Sequence, residues 1–111
     1  FVENNKDTLL TLKKNLEYLS LKSNVSLISK NINIEKFDSS KKFDIIFLDP
    51  PFADNDYLKN LSLIKEKKIY KNNHIIIIHR EVNKIDELDK TIKIILTKKY
   101  GRSKIIFGTF E

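Results

Sequence analysis

Phe43-Asp44-Ile45-Ile46-Phe47-Leu48-Asp49-Pro50-Pro51-Phe52 is an apolar run that ends on an acid and two prolines. The apolar part predicts a strand over residues 43–48. Proline has no N–H to donate and fixes its own φ, so pairing must stop where Pro50 begins and the chain must leave the sheet rigidly at Asp49. In an open sheet of parallel strands, ligands bind in the crevice beyond the carboxyl ends of the strands. An acid, a proline carbonyl of fixed direction and an aromatic at such an end are placed for chemistry. A plain Pro-Pro turn closing a strand is the competing reading of these four residues.

Outward from this stretch the pattern alternates as an α/β domain does. Upstream, Phe1-Val2-Glu3 reads as the end of a strand. Residues 7–21 follow as an amphipathic helix whose core face carries Leu9, Leu12, Leu16 and Leu19. Residues 25–29 read as a second strand, and 31–37 as a short irregular or helical link. Downstream, residues 55–66 predict a helix with Leu58, Leu61, Leu63 and Ile64 inward. Residues 74–78 are apolar without alternation, which predicts a strand buried on both faces. After Asp86 two strand-like runs, 91–97 and 104–110, flank Gly101 and predict an antiparallel hairpin. Neither repeats nor a low-complexity linker interrupts the chain, so residues 1–111 read as one domain or part of one.

The corner at Asp49 suits methyl transfer to the exocyclic amine of a nucleobase. Such an amine is a poor nucleophile because its lone pair is delocalised into the ring. Acceptors on its two hydrogens help return electron density to nitrogen during attack. The Asp49 carboxylate and the Pro50 carbonyl can be those acceptors, with Pro51 and Phe52 against the base and the Phe52 ring stacked on its plane.

The wider sequence resembles a known family. Phe1-Val2-Glu3-Asn4-Asn5, Leu9-Leu10-Thr11-Leu12-Lys13-Lys14-Asn15-Leu16, Phe43 to Phe52 and Lys99-Tyr100-Gly101 together resemble the bacterial 16S ribosomal RNA guanine-N2 methyltransferases of the RsmD type. The resemblance runs in order through essentially all 111 residues. The motif from Asp49 to Phe52 alone is shared with many DNA and RNA amino-methyltransferases. What the resemblance implies is a Rossmann-like methyltransferase fold, a mostly parallel sheet with a carboxyl-terminal antiparallel hairpin, and S-adenosylmethionine as methyl donor. It further implies 16S ribosomal RNA or the small ribosomal subunit as partner and a monomeric, cytoplasmic enzyme.

In that family a glycine-rich turn after the first strand approaches the cofactor. Here the only glycines are Gly101 and Gly108, and the chain begins at Phe1. The expectation is a carboxyl-terminal portion of a methyltransferase domain, truncated at its amino terminus, that neither binds cofactor nor catalyses alone. The function expected is that of the full-length protein.

Within the resemblance, Glu3 at the end of the second family strand would accept hydrogen bonds from both cofactor ribose hydroxyls. A surface acid favoured by a helix amino terminus is the alternative. Asn31 would read the adenine edge, where aspartate is commoner in the family, and a turn-forming Asn is the other reading. Ile32 would pack on the adenine ring, and Asp49 would lie against the cofactor as well as the amine. His79 stands where the family often carries glutamate and reads as polar termination of a strand. His74 is expected to face solvent, and Asp44 to be structural or solvent-facing.

A net charge of +6 favours a polyanionic partner. Lysines are spread along the whole chain, and most pairs read as solvated surface. The segment Lys98-Lys99-Tyr100-Gly101-Arg102-Ser103-Lys104 concentrates charge and an aromatic at the expected hairpin turn and is the better candidate for RNA contact. The absence of cysteine excludes disulfides and thiolate metal sites within these residues. The longest apolar runs are far too short to span a membrane, and no signal peptide is recognisable at Phe1. No His and carboxylate set has ligand spacing, and no metal is expected. Two other functions remain open: methylation of adenine N6 in DNA or RNA, and a non-catalytic RNA-binding fragment.

Overall fold

The first helix, α1 (Lys6–Tyr18), begins at a side-chain cap. The Thr8 N–H donates to Asn5 Oδ1 at 3.0 Å, which satisfies one of the backbone donors that a helix start leaves without an intrahelical partner. Asp7 in the first turn adds negative charge where the helix dipole is positive. Leu9 and Leu16 are buried and Leu12 half-buried, as the leucine spacing predicts. The computed structural model describes residues 5–18, 40–51, 53 and 56–110. It divides into two compact units, Phe1–Asn33 and Ile34–Glu111. The expected strands ending at Glu3 and over 25–29, the link over 31–37, and Leu19 lie outside the described residues.

The described residues of the second unit form a four-stranded sheet. Strand β1 (Phe43–Leu48) ends where the prolines require. Helix α2 (Tyr57–Lys67) connects it to β2 (Tyr70–Glu81). The two strands pair in parallel, Ile45 opposite Ile75, Phe47 opposite Ile77 and Leu48 opposite Ile78. A single turn of 3₁₀ helix (Leu88–Lys90) then leads into β3 (Lys93–Tyr100), which returns as β4 (Ser103–Thr109). β4 lies antiparallel between β2 and β3.

The elements follow from their sequences. α2 stops at Lys68, which takes the left-handed conformation at φ 54°. The Lys68 N–H reaches back to the Lys65 carbonyl and the Ile69 N–H to that of Ile64, closing the helix end. The β3–β4 turn places Gly101, at φ 56°, first in a two-residue loop between the paired Tyr100 and Ser103. That is the position at which tight hairpins ask for glycine. Farther down the hairpin, Ile94 pairs with Gly108 and Leu96 with Phe107, so Ile95 is an extra residue and the strand bulges there. A Cβ on Gly108 would stand 2.7 Å from the Lys93 carbonyl oxygen. Glycine is therefore demanded by close approach.

The core lies on one face of the sheet. Ile76 and Ile78 of β2 and Ile106 of β4 meet Tyr57, Leu61 and Ile64 of α2, with Ile69, Leu88, Ile92 and Phe110 closing the edges. The lack of alternation in β2 predicts burial on both faces, but the two sides are not equally buried. Ile76 and Ile78 are fully buried while Ile75 and Ile77 are half-buried. Within this unit α2 covers a single face, and strand geometry sends alternate side chains to opposite faces.

Three further expectations are corrected. β2 starts four residues before His74, because a polar start, Lys71-Asn72-Asn73, extends the strand without an apolar signal. His74 is buried rather than solvent-facing. Its Nε2 accepts the Phe110 N–H at 3.0 Å, and the ring clusters with those of Tyr70 and Phe110. Since Nε2 accepts, the proton sits on Nδ1, which donates to the Lys71 carbonyl at 2.8 Å. Finally, β3 runs to Tyr100, so Lys98 and Lys99 belong to a strand and point to opposite faces instead of clustering in a turn.

Candidate active site

The parallel register of β1 and β2 fixes what stands beside Asp49. Leu48 is opposite Ile78, so the next residue of each strand, Asp49 and His79, come side by side at the carboxyl ends. His79 Nδ1 lies 2.8 Å from Asp49 Oδ1. The carboxylate is 57% exposed and the imidazole 28%. Both belong to the same sheet face as Ile45 and Phe47, which are also exposed. Asp49 is thus an accessible acid held by one of its two oxygens.

The neighbouring residue, Arg80, points the other way, into the core face, and is fully buried. Its Nε and Nη2 donate to the two carboxylate oxygens of Asp86 at 2.9 and 3.4 Å. Its Nη1 donates to the Pro51 carbonyl at 3.2 Å. The guanidinium carbon sits 4.6 Å from the centre of the Tyr57 ring, over its face. A buried arginine is tolerable only when its charge is paired and its donors are used, and here one of those donors goes to the proline corner. The backbone that follows Asp49 is therefore tied down from below while the carboxylate is held from the side.

Of the residues expected at the site, Asp49, Pro50 and Pro51 are described. Pro50 is half-buried and Pro51 exposed. Phe52, Glu3, Asn31 and Ile32 lie outside the described residues. The sequence alone gives His79 only as the polar end of a strand and does not mark Arg80, Asp86 or Tyr57. The available signals were the shared end of two parallel strands, which aligns the residue after each, and a charged residue directly continuing a buried apolar run.

Several of the other charges are engaged locally. Asp44 pairs with Lys71 at 3.1 Å on the surface. Lys65 Nζ donates to the Thr91 carbonyl, and Lys104 Nζ to that of Lys84. In the expected RNA-contact segment, Lys99 and Lys104 are direct cross-strand partners. Among the described residues no helix is long and apolar enough to cross a membrane.

Comparison with known proteins agrees with this architecture. The family model described as Conserved hypothetical protein 95 matches residues 1–109. A protein of Buchnera aphidicola named Ribosomal RNA small subunit methyltransferase D is 40% identical over 81 residues, covering 72% of this chain and 42% of its own length. The chain therefore spans under half the length of that relative. Among solved structures, a conserved hypothetical protein of Streptococcus pyogenes superposes with a TM-score of 0.82 at 19% identity, covering 99% of this chain and 69% of that one. A Haemophilus influenzae protein described provisionally as a methylase superposes with a TM-score of 0.71 at 27% identity, covering 99% of this chain and 70% of that one. The sheet, its carboxyl-terminal hairpin and these likenesses are those of the Rossmann-like methyltransferase fold. The chain belongs to the Conserved hypothetical protein 95 family, the RsmD-type group.

Proposed function

We propose that the full-length protein is an S-adenosylmethionine-dependent methyltransferase acting on the exocyclic N2 amine of a guanine in 16S ribosomal RNA. The observation that carries this reading is the Asp49 carboxylate, exposed at the carboxyl end of a parallel strand with one oxygen engaged by His79. The name of the Buchnera relative supports ribosomal RNA as the substrate class.

In this reading Asp49 accepts one amine hydrogen and the Pro50 carbonyl the other, which raises electron density on the nitrogen as it attacks. Pro51 and Phe52 line the base, and Phe52 stacks on its face once the nucleotide has left its own stack. When bound, S-adenosylmethionine supplies a methyl group on a sulfonium leaving group. The residues assigned to hold it are Glu3 at the ribose, Asn31 and Ile32 at the adenine, and Asp49 near the methyl. Arg80 keeps the Pro51 peptide fixed, so the corner arrives preorganised. The partner is the small ribosomal subunit or its RNA, met by a monomeric cytoplasmic enzyme whose excess of positive charge favours a polyanion.

Adenine N6 is the second candidate, because an acid in the first place of this motif serves both bases. Mass spectrometry of ribosomal RNA nucleosides from cells with and without the gene separates the two. Loss of N2-methylguanosine on deletion is expected. Loss of N6-methyladenine instead, or no change in either, contradicts the proposal.

A further inference from the structure

We infer that His79 is a positioning residue for the methyl-transfer step, holding the Asp49 carboxylate in one orientation by donating Nδ1–H to Oδ1 so that Oδ2 is left for the substrate amine. The inference rests on the methyltransferase reading above and assigns a role to a residue outside the Asp49–Phe52 motif.

A carboxylate that is 57% exposed can rotate about both of its side-chain torsions. It can serve as an amine acceptor only when its plane is fixed relative to the base. A donor on a rigid neighbouring strand does this, and β2 supplies one. Ile78 is paired with Leu48, so His79 is carried into register with Asp49, and the 2.8 Å separation is that of a charge-assisted hydrogen bond. An ionised carboxylate has no proton to give. The bond therefore requires the imidazole proton on Nδ1.

The alternation of β2 gives the corner two separate supports. His79 on one face orients the carboxylate, while the buried Arg80 on the other holds the Pro51 carbonyl and pairs with Asp86. Arg80 is built into the core and its loss is felt by the fold. His79 is half-exposed, and its loss is felt chiefly by the reaction.

During transfer the bond between the amine nitrogen and the methyl carbon forms as the sulfur–carbon bond breaks, and the electron pair returns to sulfur as a thioether. The nitrogen, now positively charged, gives up one N–H proton. In this arrangement Asp49 Oδ2 receives it, while the His79 proton stays between Nδ1 and Oδ1. His79 neither gains nor loses a proton in the step.

That distinction sets the test. The amide nitrogen of asparagine can stand close to where Nδ1 stands and donate, but cannot titrate. In the full-length protein, His79→Asn is expected to keep kcat within about threefold, and His79→Leu to lower kcat by about 10- to 100-fold, the scale of a small misplacement of a reacting group. The KM for S-adenosylmethionine and the melting temperature of both variants are expected to match the wild type. An unchanged kcat in His79→Leu overturns the inference, and so does a His79→Asn variant that folds yet is as slow as His79→Leu. A wild-type protein that methylates neither small subunits nor their RNA overturns the methyltransferase reading itself. Nitrogen-15 NMR of the His79 ring is independent of activity. A proton on Nδ1 in the wild type that shifts in Asp49→Ala is expected, and a ring insensitive to Asp49→Ala overturns the pairing.

Discussion

Arg80 ties together several parts of the second unit. It is wholly buried, shares both carboxylate oxygens of Asp86, lies over Tyr57 and holds the Pro51 carbonyl. Removing one member of a buried ion pair leaves the other charge stranded. Arg80→Met should therefore cost about 3–5 kcal/mol. Replacing both partners with apolar residues, Arg80→Met with Asp86→Leu, should recover most of that loss, since no buried charge remains. Urea denaturation of the two variants checks this, and a double variant as unstable as the single one contradicts it. At this scale the sequence was legible only in part. Asp49 and the two prolines announce a rigid corner by themselves. The partners of that corner, His79 and Arg80, are 30 and 29 residues away in the chain, and they become visible only once β1 and β2 are set in register. His74 misled for a related reason. A histidine opening an apolar strand looks like a solvent-facing end, but its two ring nitrogens answer the Phe110 N–H and the Lys71 carbonyl inside the structure.

Among the elements, β1 and α2 were legible because proline sets the end of one and leucine spacing the face of the other. The hairpin was legible as a hairpin, but its strands extend farther toward Gly101 than their apolar runs, since cross-strand pairing continues through Lys98, Lys99 and Tyr100. This moves the lysines from a turn into a strand, where they alternate between faces. Gly108 marks a second feature that apolar patterning does not register, the close approach of β4 to the bulged edge of β3. Gly108→Ala should destabilise the fold by about 1–3 kcal/mol, the usual cost of forcing atoms into a filled space. A melting temperature equal to the wild type would mean that the β3 backbone yields freely at the bulge.

For the whole molecule, the α/β alternation and the carboxyl-terminal hairpin on a parallel pair place the chain in the methyltransferase fold, and the family match over residues 1–109 agrees. The proposed cofactor roles of Glu3, Asn31 and Ile32 rest on resemblance and chemistry, whereas the proposed role of Asp49 is supported also by its geometry beside His79. The excess of positive charge fits the proposed polyanionic substrate. The central proposal, that Asp49 serves chiefly as acceptor for the substrate amine and adds little to cofactor affinity, is tested most directly by Asp49→Ala in the full-length protein. Methylation of small ribosomal subunits and calorimetric affinity for S-adenosylmethionine would be measured side by side. Methylation is expected to vanish while affinity changes by less than about tenfold; retained methylation would contradict the account.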